Sequence, residues 1–173
     1  MYTIDEKDEI IPWNDVPGCE AGAPCPVVFS DEFTVVVAYY GRNTIPLSEK
    51  YPQDEKFVFV RFDLYNAMMF GPPNEEAYGG HPLAARGLRP CEAFLVKNSS
   101  WIRQLERMNS IHPYHRPEKY AELTHYILTF HDSTFECVAK SFSLKTVEYE
   151  TGMPHLLSKI DNFLKHPDIP NDL

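Results

Sequence analysis

His131 and Glu136 are the two residues of this chain whose types and spacing best suit acid–base chemistry. They flank Asp132-Ser133, a polar pair inside a strand-like run from Thr124 to Lys140. If Asp132-Ser133 is a two-residue turn, His131 pairs with Thr134 and Thr129 faces Glu136. Directly opposed residues share a sheet face. One face then carries Tyr126, Leu128, Phe130, Phe135, Cys137 and Ala139, a core face. The other carries His125, Ile127, Thr129, His131, Thr134, Glu136, Val138 and Lys140. A four-residue loop keeps the same separation, whereas a one-residue slip drives Glu136 into the core at high cost. A carboxylate beside an imidazole raises the imidazole pKa, and the pair can serve as base and orienter. The bland reading is a half-solvated strand face with an incidental ion pair, which contributes little.

The segment Gly79-Gly80-His81-Pro82 lies in a long stretch, 71–90, with little apolar pattern. Loops this long inside a domain are often functional. Paired glycines let backbone approach a ligand closely, and Arg86 and Arg89 have the fork that grips a carboxylate or phosphate. If this loop folds over the polar face of the hairpin, His81, His131, Glu136 and an arginine converge. The competing reading is a surface loop whose arginines pair with the abundant acids. No metal is expected; were one held, His81, His131 and Glu136 would be its ligands. His112-x-x-His115 sits on a proline-bounded turn and lacks the partner residues of a zinc motif. No nucleophile elbow, P-loop or dinucleotide fingerprint is present, so no cofactor can be named.

The elements that must position these groups belong to one domain, since 173 residues is the usual size of a single unit. An apolar fraction of 43% with 11 Phe and 10 Tyr supplies a core. The net charge of −9 argues against a surface that tracks phosphates, and hence against nucleic acid. It suits a basic partner instead. The four cysteines, Cys19, Cys25, Cys91 and Cys137, lack zinc spacing. Residues 1–10 are acidic rather than basic and apolar, and no run reaches the ~20 apolar residues of a membrane span. The expected location is the cytoplasm, with no membrane partner.

Residues 1–26, dense in proline and glycine, read as an extended arm anchored by Trp13. A globular core covers 27–166 and a tail 167–173. Val27–Tyr40 reads as a hairpin whose second strand, all apolar from Val35 to Tyr40, is central. Phe57–Phe62, Ala67–Phe70, Cys91–Lys97, Thr124–His131 and Thr134–Thr146 are further strands. Asn98, Ser99 or Ser100 caps a helix with a Trp101, Leu105, Met108 stripe. A short helix follows Pro117, and a last helix over 154–165 carries Leu156, Leu157, Ile160, Phe163 and Leu164 on one face. Strands in groups predict an α+β fold, mainly one curved antiparallel sheet with the 100–109 and 154–165 helices packed on it.

The stretches GAPCPVVFSDEFTVVVAYY (22–40), HPLAARGL (81–88) with NSSWIRQLERMN (98–109), and FHDSTFECVA (130–139) resemble a family of bacterial proteins of unknown function. The resemblance covers roughly residues 20 to 140. It implies a bacterial source and brings no activity, cofactor or functional residue. Two readings therefore stand on the residues alone. The first is a module that binds a small molecule or a protein, such as an immunity or regulatory protein. The second is a small enzyme with His131 and Glu136 as acid–base residues and His81, Arg86 and Arg89 on its substrate.

Overall fold

Strand-forming runs in this chain come in two sets, and each set builds its own antiparallel sheet. The computed structural model describes residues 2–42 and 56–148. The first sheet orders β1 (Glu9–Pro12), β6 (Ala93–Lys97), β7 (Thr124–Thr129), β8 (Thr134–Ala139) and β5 (Ala67–Gly71) as β1-β6-β7-β8-β5. The second orders β2 (Val27–Ser30), β3 (Thr34–Tyr40), β4 (Lys56–Asp63) and β9 (Ser143–Glu148) as β2-β3-β4-β9. Two α-helices, α1 (Ser100–Asn109) and the single turn α2 (Glu118–Ala121), and two short 3-10 turns, Tyr78–Gly80 and Ala84–Arg86, complete the described elements. The α+β class and the antiparallel pairing agree with the expectation, while the strands divide between two sheets rather than curving as one. The helix expected over 154–165 lies outside the described residues, as do the 167–173 tail and most of the 41–55 connection. Among the described residues no helix is long and apolar enough to cross a membrane.

The division has a local cause. The expected strand Thr134–Thr146 breaks at Lys140-Ser141-Phe142, where the chain leaves β8 in one sheet for β9 in the other. The β4-to-β5 connection makes the same crossing through Leu64, whose φ of 50° turns the backbone sharply. The inner faces then meet. Val35, Val37 and Tyr39 of β3 and Val58, Val60 and Phe62 of β4 pack against Tyr126, Leu128, Phe135 and Cys137 of the first sheet. The two-residue period of β4 sends Phe57 and Phe59 to the opposite face, where they join Val36 and Ala38.

Trp13 wedges into the inner layer, with ring centroids 4.8 Å from Tyr126, 6.2 Å from Phe62 and 4.6 Å from Phe142. It is the anchor its composition suggested. The arm is more ordered than prolines alone imply, because Glu9–Pro12 adds to the free edge of β6. The outer face of the first sheet is covered too. Tyr2, Tyr78, Leu83, Leu88, Phe94, Trp101, Ile127 and Val138 form a second apolar cluster there, from the arm, the 71–90 loop and α1. The stripe on α1 is covered only in part: Trp101 is buried, whereas Met108 is 65% exposed.

Candidate functional site

The β7–β8 hairpin sets the geometry. Thr129 pairs with Thr134, Leu128 with Phe135, Ile127 with Glu136 and His125 with Val138. Phe130 to Ser133 form a four-residue loop closed by the Phe130 N–H donating to Ser133 O (2.8 Å). The two faces separate as expected, but the strands pair two residues earlier than a two-residue turn requires. His131 therefore leaves the strand and stands in the loop. Its imidazole meets Glu75 (3.2 Å) and Asp132 (3.0 Å), not Glu136. Those two carboxylates, the hydrogen bond to Asp132 foremost, raise its pKa. The expected His131–Glu136 pair does not form, because loop closure removed the strand position that held His131.

Glu136 is instead sealed beneath the arm and the 71–90 loop, 4% exposed. Three donors reach its carboxylate. The Tyr2 hydroxyl donates to Oε2 at 2.6 Å, His125 Nε2 contacts Oε2 at 2.9 Å, and His81 Nε2 contacts Oε1 at 3.2 Å. The other ring nitrogens fix the tautomers. The Leu83 N–H donates to His81 Nδ1 (3.1 Å), so the His81 proton is on Nε2. Ser99 Oγ lies 2.9 Å from His125 Nδ1 while accepting the Ile102 N–H. With Nε2–H donating to the Glu136 carboxylate, a neutral His125 takes the Ser99 hydroxyl proton as a hydrogen bond at Nδ1. Burial pushes the Glu136 pKa up, but hydrogen bonds from His125, His81 and Tyr2 reverse this and hold it near 2. The carboxylate in turn joins burial in driving the Tyr2 phenol far above its ordinary value.

Aromatic rings cage this network. Tyr2 stacks on Trp101 at 5.2 Å, and both rings meet His125 edge-on, at 5.3 and 5.1 Å. Ser99, His125 and Glu136 have the connectivity of a nucleophile–base–acid relay. Ser99 is nevertheless only 3% exposed, and its hydroxyl oxygen serves as the N-cap of α1 by accepting the Ile102 N–H. The buried Asp8 carboxyl accepts from the N–H (2.7 Å) and hydroxyl (3.0 Å) of Ser100, occupying the end of the helix where an oxyanion would bind. Ser99 borders a groove of about 550 Å³ with Asn98, Ile102 and Arg103, but its Oγ is already engaged by His125 Nδ1 and the Ile102 N–H. The ligand set named for a metal fares no better as a unit, since His131 is elsewhere. A metal on His81 Nε2 would also force a proton onto Nδ1, against the Leu83 N–H.

Arg86 and Arg89 also stay outside the cluster. Arg86 donates to the carbonyls of Asp5 (3.1 Å) and Glu6 (3.3 Å), tying the loop to the arm. Arg89 meets Glu92 at 3.3 Å on the surface. Of the five residues singled out, only His81 and Glu136 come together. No family model, curated protein or solved structure matches this chain.

An open concavity lies elsewhere, where the chain crosses between sheets. A groove of about 690 Å³ is bounded by Asp63, Leu64 and Asn66 of the β4–β5 crossing and by Lys140 and Ser141 of the β8–β9 crossing. Its far wall, from the α1–α2 corner, comprises Asn109, His112, Tyr114, Arg116, Lys119, Tyr120, Glu122 and Leu123. Asp63 is engaged by Arg61 (2.7 Å) and Glu122 by Lys140 (2.6 Å). The Arg116 side chain meets no ion-pair or hydrogen-bond partner among the described residues. At the mouth Tyr114 is 83% and Leu64 71% exposed, with His112 beside Tyr114 at 5.9 Å. Nothing in the sequence marked this groove, because its walls come from three separate corners.

Proposed function

We propose that this chain is a binding module, and that its ligand is a small organic anion seated in the groove between the sheet crossings and the α1–α2 corner. The observation that carries the reading is the Arg116 guanidinium, which meets no ion-pair or hydrogen-bond partner among the described residues, with Lys119 lining the same groove of about 690 Å³. Pockets of this size suit small molecules, and a few polar groups among apolar walls fix the orientation. A guanidinium holds a carboxylate or phosphate through two parallel hydrogen bonds. Tyr114, Tyr120, Leu64 and Leu123 offer aromatic and aliphatic surface to the rest of the ligand. The enzyme reading is disfavoured by the Glu136 cluster, whose carboxylate is buried and already held by Tyr2, His81 and His125.

Phenyl phosphate is a suitable probe, with inorganic phosphate and benzyl alcohol as half-probes. Titrated into the ¹⁵N-labelled protein, it is expected to shift amides of residues 63–66, 109–123 and 140–141. Arg116→Ala with Lys119→Ala should weaken binding at least about tenfold, as removal of a charge-assisted contact does. Shifts scattered over the surface, or an unchanged affinity in the double variant, would overturn the proposal.

A further inference from the structure

Two buried thiols share the inner core where the arm passes the segment leading into β6. Cys19 belongs to the arm and Cys91 precedes β6; both are buried, and neither is in a disulfide. Their neighbourhood is clamped from several directions. Cys19 Sγ lies 3.5 Å from Thr129 O, and the Thr129 N–H donates to Glu92 O at 3.0 Å. Arg42 donates from its guanidinium to Cys91 O (2.9 Å) and from its backbone N–H to Gly18 O (2.7 Å). A Cβ on Gly18 would come within 3.0 Å of Cys91 O, so the two segments touch at the backbone. Cys91 itself has φ 56°, a left-handed turn uncommon for a side-chain-bearing residue. The Cys91 thiol is near enough to act on the Cys19 thiol electrostatically.

We propose that Cys19 and Cys91 form a site of oxidative modification, closing to a disulfide that bolts the arm to the first sheet. The chemistry needs a two-electron oxidant, and a peroxide serves. One sulfur attacks the peroxide oxygen, giving a sulfenic acid and water; the other displaces the hydroxyl from that sulfur, forming S–S and a second water. Two thiols give up two electrons and two protons, and hydrogen peroxide becomes two waters. Burial and the contact with Cys91 hold the Cys19 thiol in its protonated, unreactive form. Oxidation therefore proceeds when the arm lifts, and the bond fixes the arm when it returns. Cys25 is the exposed thiol of the same arm, and Cys137 sits in β8 among apolar neighbours.

The folded protein is treated with hydrogen peroxide, denatured, alkylated with iodoacetamide and peptide-mapped without reduction. A peptide linking Cys19 to Cys91 is expected, about 2 Da lighter than its two reduced parts and split by dithiothreitol. Cys25→Ser should leave the link in place, and Cys19→Ala should abolish it without creating another. The linked form should denature at higher urea, since a cross-link restricts the unfolded chain. Recovery of Cys19 and Cys91 fully alkylated after Cys25 has been consumed would overturn the proposal. So would a link that joins Cys25 or Cys137, or oxidation of either thiol to sulfinic acid in place of the link.

Discussion

Replacing Glu136 with glutamine tests the polar core most directly. The wild-type carboxyl is held near 2 against an ordinary value of 4.5. A depressed carboxyl stabilises the fold above its unfolded pKa and loses that contribution as pH falls toward the folded value. The full contribution at neutral pH is about 3 kcal/mol, of which about 2 kcal/mol is gone by pH 3. Glutamine keeps the shape and removes the charge. Its carbonyl can accept from Tyr2 and His125 at the Oε2 position, which leaves its amide facing His81 Nε2–H. His81 cannot turn its proton to Nδ1 without meeting the Leu83 N–H. One donor–donor clash therefore survives, costing about 1–3 kcal/mol. Loss of charge-assisted bonds is partly offset by no longer burying an ion.

Urea denaturation of wild type and Glu136→Gln at pH 7 and pH 3 gives the readout. The variant should be about 2–4 kcal/mol less stable at pH 7. The gap should shrink by about 2 kcal/mol at pH 3, because only the wild type loses the Glu136 contribution. Asp5, Asp31 and Glu122, whose pKa values are also lowered, are common to both proteins and cancel in the difference. A constant gap at both pH values would refute the assignment of a depressed pKa to Glu136. Equal stability at pH 7 would refute the three-donor network itself.

His131→Ala should leave the urea midpoint and phenyl phosphate binding unchanged, because its ion pairs are on an exposed loop; denaturation and the same titration check both. Leu64→Asn should stabilise the fold by about 0.5–1 kcal/mol, since asparagine tolerates the left-handed conformation and Leu64 is 71% exposed. If Leu64 also serves the groove mouth, the same substitution should weaken phenyl phosphate binding severalfold, measured on one sample by calorimetry and thermal unfolding.

The β faces were legible because alternation has a period of two and survives a shift of two residues. Glu136 and His125 were placed together on one face for that reason. The exact pairing was not legible, since it turned on whether Phe130 closes a four-residue loop with Ser133. The partners of Glu136 were half visible. His81 carried a signal, its glycine-rich loop, whereas Tyr2 is one tyrosine among ten in an acidic arm. Nothing local tells such an arm to fold back over a sheet. The outer face looked solvated because its polar members, His125, Thr129 and Glu136, were read without their cover. Arg86 and Arg89 were drawn to nearby carbonyl and carboxyl groups, as long cationic side chains in an acidic chain are. The groove has no linear signature, because the two sheet crossings that floor it follow from a division into two sheets that strand grouping alone does not reveal.

A buried carboxylate with three donors is an expensive way to stabilise a fold, and that points to specificity as its role. Replacing a satisfied buried polar cluster with apolar residues of similar size is often neutral or stabilising. What the cluster adds here is direction. Tyr2 comes from the arm, His81 from the 71–90 loop, and His125 and Glu136 from neighbouring strands, with Ser99 linking in α1. A greasy surface would hold these segments in many registers; a carboxylate with three donors accepts one. The combined variant Tyr2→Phe, His81→Leu, His125→Leu, Glu136→Leu should therefore stay within about 2 kcal/mol of wild type. Its residues 2–8 should show faster amide exchange and multiple NMR signals, although Asp8 still bonds Ser100 and Asp5 still meets Arg103 (2.6 Å). A variant of wild-type stability with an arm as singly ordered and as protected as before would remove specificity as the reason for this charge.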